Sequence, residues 1–521
     1  MSKIMGLREA MELISDGDTI AIVSGGMVGY PEYLSIGLAE RYKETGHPKG
    51  LTVFAGCGHG IPVHPTMGDS KFAQPGMLKR YVASHPMTCR PIQEMIMACE
   101  VEGYSLPQGV LQQLYRTSAA RQPGLLTKIG MGTYIDPRQD GGKMSAAAKE
   151  DIVRLMEIDG EEWLFYKAHP INAAFIRVTT GDEDGNLTIE EEALKLEIME
   201  TALAAKARGG KVIAQVKRVA ARGTLKAKDV AVPGEIVDAV VIADKPEETH
   251  RQTLGQVHNP YYSGELRRPA ASAPPPKDVL TPDDIVCRRA LYELRPGAIV
   301  NVGVGVGAGI GLVAETENVA DRITFTLELG TFGGVPTPPS DFGASLNASS
   351  FVAHPTMFDF YHGGGLDIAF LGAAEVDKTG NVNVSLMSGR PSGQGGFMDI
   401  SQCSKKTVFV MFFTASGFKG SVKDGKMVID QEGSISKIVD KVAQITYSGQ
   451  LAMADGREAV FVTERAVFKL TKEGLLLTEI APGMDLEKDV LGKMGFKPIV
   501  SKDLKLMDAR IFTPGRMGCF D

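Results

Sequence analysis

An acid stands where a buried strand should end. In ITFTLELG (323–330) β-branched and aromatic residues lead up to Glu328, and the glycines of GTFGGVP follow at once. A carboxylate in that position costs desolvation energy unless something satisfies or uses it. Glutamate is a weak nucleophile in water, but binding energy from a large substrate and exclusion of water let it attack a thioester, provided N–H groups meet the oxyanion. A loop able to bring backbone amides that close occurs downstream in SGRPSGQGGFMDI (388–400), where G-Q-G-G covers 393–396.

Other chemistries compete for the same residues. GVGVGA (303–308) follows a strand and matches G-x-G-x-x-A, and Glu328 lies roughly 20 residues on, where a ribose-binding acid would sit. An NAD(P)-dependent oxidoreductase is therefore the alternative reading. Against it, glycine recurs at 303, 305, 307, 309 and 311, so some register of the motif is met by composition alone. His59 and His64 in HGIPVHP, and His354, Asp359, His362 and Asp367 in the 354–367 run, lack the i, i+4 spacing and cysteine partners of a metal site, so no metal is expected. A G-x-S-x-G elbow is absent, and no G-K-[ST] follows the glycines as a P-loop would require.

The elements that must hold such a site form two copies of one plan. AAFIRVTTGDEDGNLTI (173–189) lies without a gap over IAFLGAAEVDKTGNVNV (368–384), matching Ala174 with Ala369, Phe175 with Phe370, Asp182 with Asp377, Gly185 with Gly380 and Asn186 with Asn381. Each copy reads as a strand, a D-x-x-G-N turn and a second strand. The halves also open alike, ISDGDTIAIVSGG (14–26) resembling LRPGAIVNVGVGV (294–306), with LTVFAG (51–56) and ITFTLELG (323–330) as the next strands. Strand, helix, strand with short glycine turns implies an α/β fold of two similar open domains with largely parallel sheets, related by internal duplication. Aligning the second strands sets Gly56 opposite Glu328. A scaffold residue would be expected in both copies, so the lone acid points to chemistry. The proline-rich RRPAASAPPPKDVLTPDD (267–284) reads as a linker, giving domains at 1–266 and 285–521, the second carrying the acid.

Composition narrows the class. With 521 residues, 43% apolar and 23% charged, the chain suits a multidomain globular protein. Six cysteines without a C-x-x-C pair suggest neither a disulfide framework nor a zinc ribbon, and a cytoplasmic setting is expected. The N-terminus lacks a signal-peptide core. The longest uncharged run, 299–314, is 16 residues and glycine-rich, reading as a buried strand plus turn rather than a membrane span. A net charge of −7 argues against nucleic-acid partners.

Taken together, Glu328 in LELGTFGGVP, the run FDFYHGGGLDIAFLGAAEVDKTGNVNVS (358–385), GQGGF (393–397), SLPQGV (105–110) and TYIDPRQDGGK (133–143) resemble a family I CoA-transferase, of the single-chain acetate or propionate type in which two subunit types are fused. The resemblance implies a ping-pong transfer of CoA from an acyl-CoA to a short-chain carboxylate. In it Glu328 attacks the acyl-CoA to give an acyl-glutamyl anhydride and CoA thiolate. The thiolate then takes the glutamyl carbonyl, and a second acid reverses the steps. It implies further that Gly395 and Gly396 offer amides to the oxyanion and that Asn383 sits near the reacting carbonyl. Gly303, Val304, Gly305, Val306 and Gly307 would contact CoA, and Gly25 and Gly26 would close over the acyl group. CoA is then substrate and covalent intermediate with no permanently bound cofactor, and a homo-oligomer is expected. Leu329 stands where relatives carry proline, and residues 57–92 depart from the usual glycine-rich pattern.

Overall fold

The computed structural model describes residues 2–269, 274–303, 305–337 and 339–518. The chain divides into two compact units. The first holds Met1–Arg268, Glu328–Asp359 and Ser388–Asp399; the second holds Pro269–Leu327, Phe360–Met387 and Ile400–Asp521. Glu328 and the 393–396 loop thus fall in the first unit, although both come from the second half of the sequence.

In the first unit a 9-stranded sheet has a parallel core. Its spatial order is Ala239–Ile242, Lys211–Ala220, Ala173–Asp182, Thr19–Ile22, Leu51–Ala55, Leu78–Ala83 and Glu102–Ser105. Every residue of Ala173–Asp182 is buried, the continuous pattern of a strand covered on both faces. Ile20, Ile22, Val53, Tyr81, Phe175 and Ile213 anchor this unit's core.

The second unit repeats the arrangement, with Thr324–Leu327, Ile299–Val302, Ile368–Gly372, Lys406–Val410 and Glu458–Val462 in parallel order. Ala466–Thr471 and Gly474–Ile480 continue it antiparallel. Its core includes Val300, Val302, Phe325, Phe370, Val408 and Val460. The uncharged 299–314 run contributes the strand Ile299–Val302 but extends beyond a turn, since a helix starts at Ile310.

The ladders reproduce the sequence alignment residue by residue. Ala21 pairs with Ala174 and Phe54, while Asn301 pairs with Ala369 and Thr326. Counting two residues on from Phe54 and Thr326 brings Gly56 and Glu328 to the same place. A β-carbon on Gly56 would lie 2.3 Å from Gln112 Nε2 and 3.3 Å from Tyr115. In the first copy Gln112 and Tyr115 crowd the place where the second carries its acid.

The D-x-x-G-N turns match down to single hydrogen bonds. Asp182 Oδ1 accepts the N–H groups of Asp184 and Asn186, and its Oδ2 accepts Asn186 Nδ2 at 2.9 Å. Asp377 does the same with Thr379, Asn381 and Asn381 Nδ2 at 3.1 Å. Asn186 Oδ1 then accepts from Gly234 and Asn381 Oδ1 from Gly449, each at 3.0 Å. Gly185 and Gly380 supply φ values of +88° and +75°, which a residue with a β-carbon adopts only at a cost. Asp182→Ala or Asp377→Ala strips part-buried amides of their acceptor, a loss of about 1–3 kcal/mol. Scanning calorimetry should show the melting temperature falling by roughly 2–8 °C.

Candidate active site

Glu328 follows directly on the strand Thr324–Leu327 and is half-buried. Its neighbour Leu329 is wholly buried. A β-carbon on Gly25 would stand 2.8 Å from Leu329 Cδ1 and 3.2 Å from Leu196, and one on Gly343 would stand 2.6 Å from the same Leu329 methyl. The loop expected to close over the acyl group thus packs on the residue after the acid, and glycine at 25 is what permits the approach. The loop is held by Gly25 N–H donating to Val28 O at 2.9 Å and by Ser24 Oγ donating to the Gly26 carbonyl at 2.6 Å.

Beneath these loops runs a buried polar relay that sequence reasoning missed. Glu197, with no exposed surface, accepts the Ser24 N–H at 3.3 Å and the His354 ring at 2.8 Å. His354 Nε2 lies 3.0 Å from Gln108 Nε2. A carboxylate beside Nδ1 assigns the proton to that nitrogen, which leaves Nε2 to accept from Gln108. Gln108 Oε1 then faces Cys57 Sγ, 3.8 Å away. Burial, joined by the Glu328 and Glu197 carboxylates, pushes the Cys57 thiol up to about 12. Cys57 is therefore a protonated thiol and no nucleophile. His59, entertained above as a ligand, is instead buried against Asp69 at 3.1 Å.

The 393–396 loop joins the same assembly. A β-carbon on Gly393 would meet Pro86 Cδ and Ser84 O at 2.5 Å. Gly393 and Gly395 adopt φ values of +75° and +57°. Gln394 and Gly395 both donate their N–H groups to Ser84 O at 3.0 Å, and the Gly395 carbonyl accepts the Gln108 N–H at 3.2 Å. Gln108 opens the helix Gln108–Ala119, whose next amide, Gly109 N–H, reaches Asp399 Oδ2 at 3.1 Å. The helix's first donors are thereby satisfied by the loop and by Asp399.

Two expectations change. The Gly395 amide is committed to Ser84, so of the two glycines expected to meet an oxyanion, Gly396 alone keeps an amide without a carbonyl partner among the described residues. Asn383, expected near the reacting carbonyl, spends its side chain locally. Its Nδ2 donates to Glu375 Oε2 at 2.8 Å and Leu386 O at 2.7 Å, and its Oδ1 accepts from Ser385 and Leu386. A fully used amide has no bond left for a substrate.

In the second unit Gly305 and Val306 line a cavity of ≈ 320 Å³ together with Cys287, Leu312 and Val313. Of the other residues expected to contact CoA, Gly303 and Gly307 fall among the described residues and Val304 lies outside them. No helix among the described residues is long and apolar enough to cross a membrane.

Gly25→Ala should drive Leu329 aside and displace the adjoining acid, lowering kcat/KM about 10-fold or more. Leu329→Ala in the same chain should restore part of the loss, as a double-mutant cycle for a contacting pair requires; additive losses would show that the two do not couple.

Comparison with known proteins matches residues 4–243 to the family described as Coenzyme A transferase. The chain is 41% identical over 518 residues to a caffeate CoA-transferase of Acetobacterium woodii, covering 98% of each chain. It is also 41% identical to the acetate CoA-transferase YdiF of Escherichia coli K12, covering 99% of this chain and 96% of that one. A crystal structure of the acyl-CoA transferase YdiF from E. coli O157:H7, described as a thioester complex with CoA, superposes with a TM-score of 0.93 at 39% identity over 99% of this chain and 97% of that one. Full-length identity to transferases displaces the oxidoreductase alternative. The lone strand-end acid, the duplicated α/β scaffold and these relatives agree: the chain is an acyl-CoA transferase and belongs to family I of the coenzyme A transferases.

Proposed function

We propose that Glu328 carries CoA between acyl groups as a glutamyl thioester and that the acids exchanged are short, of the acetate and propionate class. The carrying observation is the placement of Glu328. It is half-buried at a strand end, it is near enough to the buried Cys57 thiol to help raise that group, and a β-carbon at the duplicated position, Gly56, would press on Gln112. The thioester described for the CoA complex of YdiF supports a covalent intermediate. The carboxylate oxygen attacks the thioester carbon, the C–S bond breaks, and CoA departs as thiolate. That thiolate attacks the glutamyl carbonyl of the anhydride and expels the first acid as carboxylate. The thioester's energy is retained on the enzyme throughout, so no nucleotide need be hydrolysed.

The acyl side is packed by Leu329, Leu196 and Val28 against Gly25 and Gly343, which favours a small group over an aromatic one. CoA is assigned to the 303–307 loop, supported by the cavity beside Gly305 and Val306. The alpha-like and beta-like domains are assigned to 1–266 and 285–521, and the working form to a homo-oligomer in the cytoplasm. Five free cysteines among the described residues accord with a reducing compartment.

Incubation with acetyl-CoA or propionyl-CoA, proteolysis and mass spectrometry should find CoA on the peptide bearing Glu328. Glu328→Gln should form no adduct and lose turnover by about 10³-fold or more, the scale of a removed covalent step; full turnover in that variant, with the amide verified intact, would end the proposal. Acetate and propionate should exceed caffeate in kcat/KM by about 10-fold or more, and the reverse order would discard the short-chain assignment.

A further inference from the structure

The commitment of the Gly395 amide leaves the proposed oxyanion site short of a donor, and the structure places one beside it. His85 follows the Leu78–Ala83 strand, between the Ser84 carbonyl that holds the 393–396 loop and Pro86, on which Gly393 rests. A β-carbon built on Gly395 would stand 3.5 Å from His85 Nδ1 and 3.6 Å from Gln108 Oε1. Both polar groups therefore face the α-carbon of the glycine that precedes Gly396. The imidazole is half-buried, and no described residue makes a hydrogen bond to it. Nearby, His354 has both ring nitrogens engaged, by Glu197 and Gln108, and His59 is held at Nδ1 by Asp69. His85 differs in keeping its hydrogen-bonding capacity against the 393–396 loop itself.

We propose that the His85 imidazole, through its Nδ1–H, is the second oxyanion donor of this enzyme, acting with the Gly396 amide on the acyl oxygen as Glu328 attacks. This inference rests on the glutamyl-thioester reading. In the step, the carboxylate forms its bond to the acyl carbon and the carbonyl π pair moves to oxygen. That oxygen accepts hydrogen bonds from Nδ1–H and Gly396 N–H, and collapse then breaks the C–S bond and releases CoA thiolate. No proton is transferred, so a neutral imidazole carrying its proton on Nδ1 suffices as the donor. Burial holds its pKa down, at about 4, so the ring stays neutral at physiological pH. A fixed neutral donor in a desolvated site needs no reorganisation as charge develops.

The test is the rate of glutamyl-CoA formation in single turnovers with acetyl-CoA. His85→Ala should lose about 10²- to 10³-fold, the cost of one oxyanion donor, with little change in apparent substrate affinity and the same factor for propionyl-CoA. His85→Asn, whose amide N–H stands near the position of Nδ1–H, should recover to within about 10-fold of wild type. Adduct formation at the wild-type rate in His85→Ala overturns the inference. So does a loss confined to the affinity for one acyl group, which would make His85 a specificity residue, and so does equal inactivity of the Asn and Ala variants in folded protein. A wild-type enzyme that forms no CoA adduct at Glu328 would instead overturn the parent reading, so the two failures are told apart.

Discussion

A carboxylate with no exposed surface has to be compensated, and Glu197 sets the terms for everything around it. Its partners are the Ser24 N–H and His354, and His354 passes the constraint to Gln108. Gln108 fixes Gly395 through its backbone amide. One buried charge therefore ties the 24–29 loop, the chain at 354, the start of a helix and the G-Q-G-G loop into a single assembly. Removing one member of a buried pair of this kind costs about 3–5 kcal/mol. The outcome is a site whose walls are set before any substrate arrives, which is what electrostatic stabilisation of a transition state demands.

Duplication supplied the frame, and the copies diverge at the acid proposed above to do the chemistry. The two D-x-x-G-N turns make the same hydrogen bonds, and the ladders share one register. At the aligned position the copies part. Gln112 and Tyr115 crowd the space in front of Gly56, whereas Glu328 stands half-buried. The cysteine that shares its surroundings stays a spectator, since burial and two nearby carboxylates keep the thiol protonated.

Much of this was legible in the residues. The pattern of strands and glycine turns defined the α/β class, because burial on both faces writes itself as continuous apolar runs. The internal echo predicted the register that the ladders show, and the lone acid at 328 stood out because its counterpart was glycine. The G-Q-G-G run was also readable as a loop of close approach, and Gly393 packs on Ser84 and Pro86.

What the sequence could not disclose is how each donor and acceptor is spent. Gly395 and Asn383 look like free amides in a local reading, yet one is bound to a carbonyl some 310 residues earlier and the other to its own turn. His85, Glu197 and His354 carry no local motif, and their roles arise from contacts far apart in the chain. By itself the sequence determined the fold class, the duplicated frame and the acid, because periodicity and steric need for glycine are local properties. Tertiary structure alone decided which polar groups remain available, because hydrogen-bonding capacity is settled by whichever partner folding brings within about 3 Å.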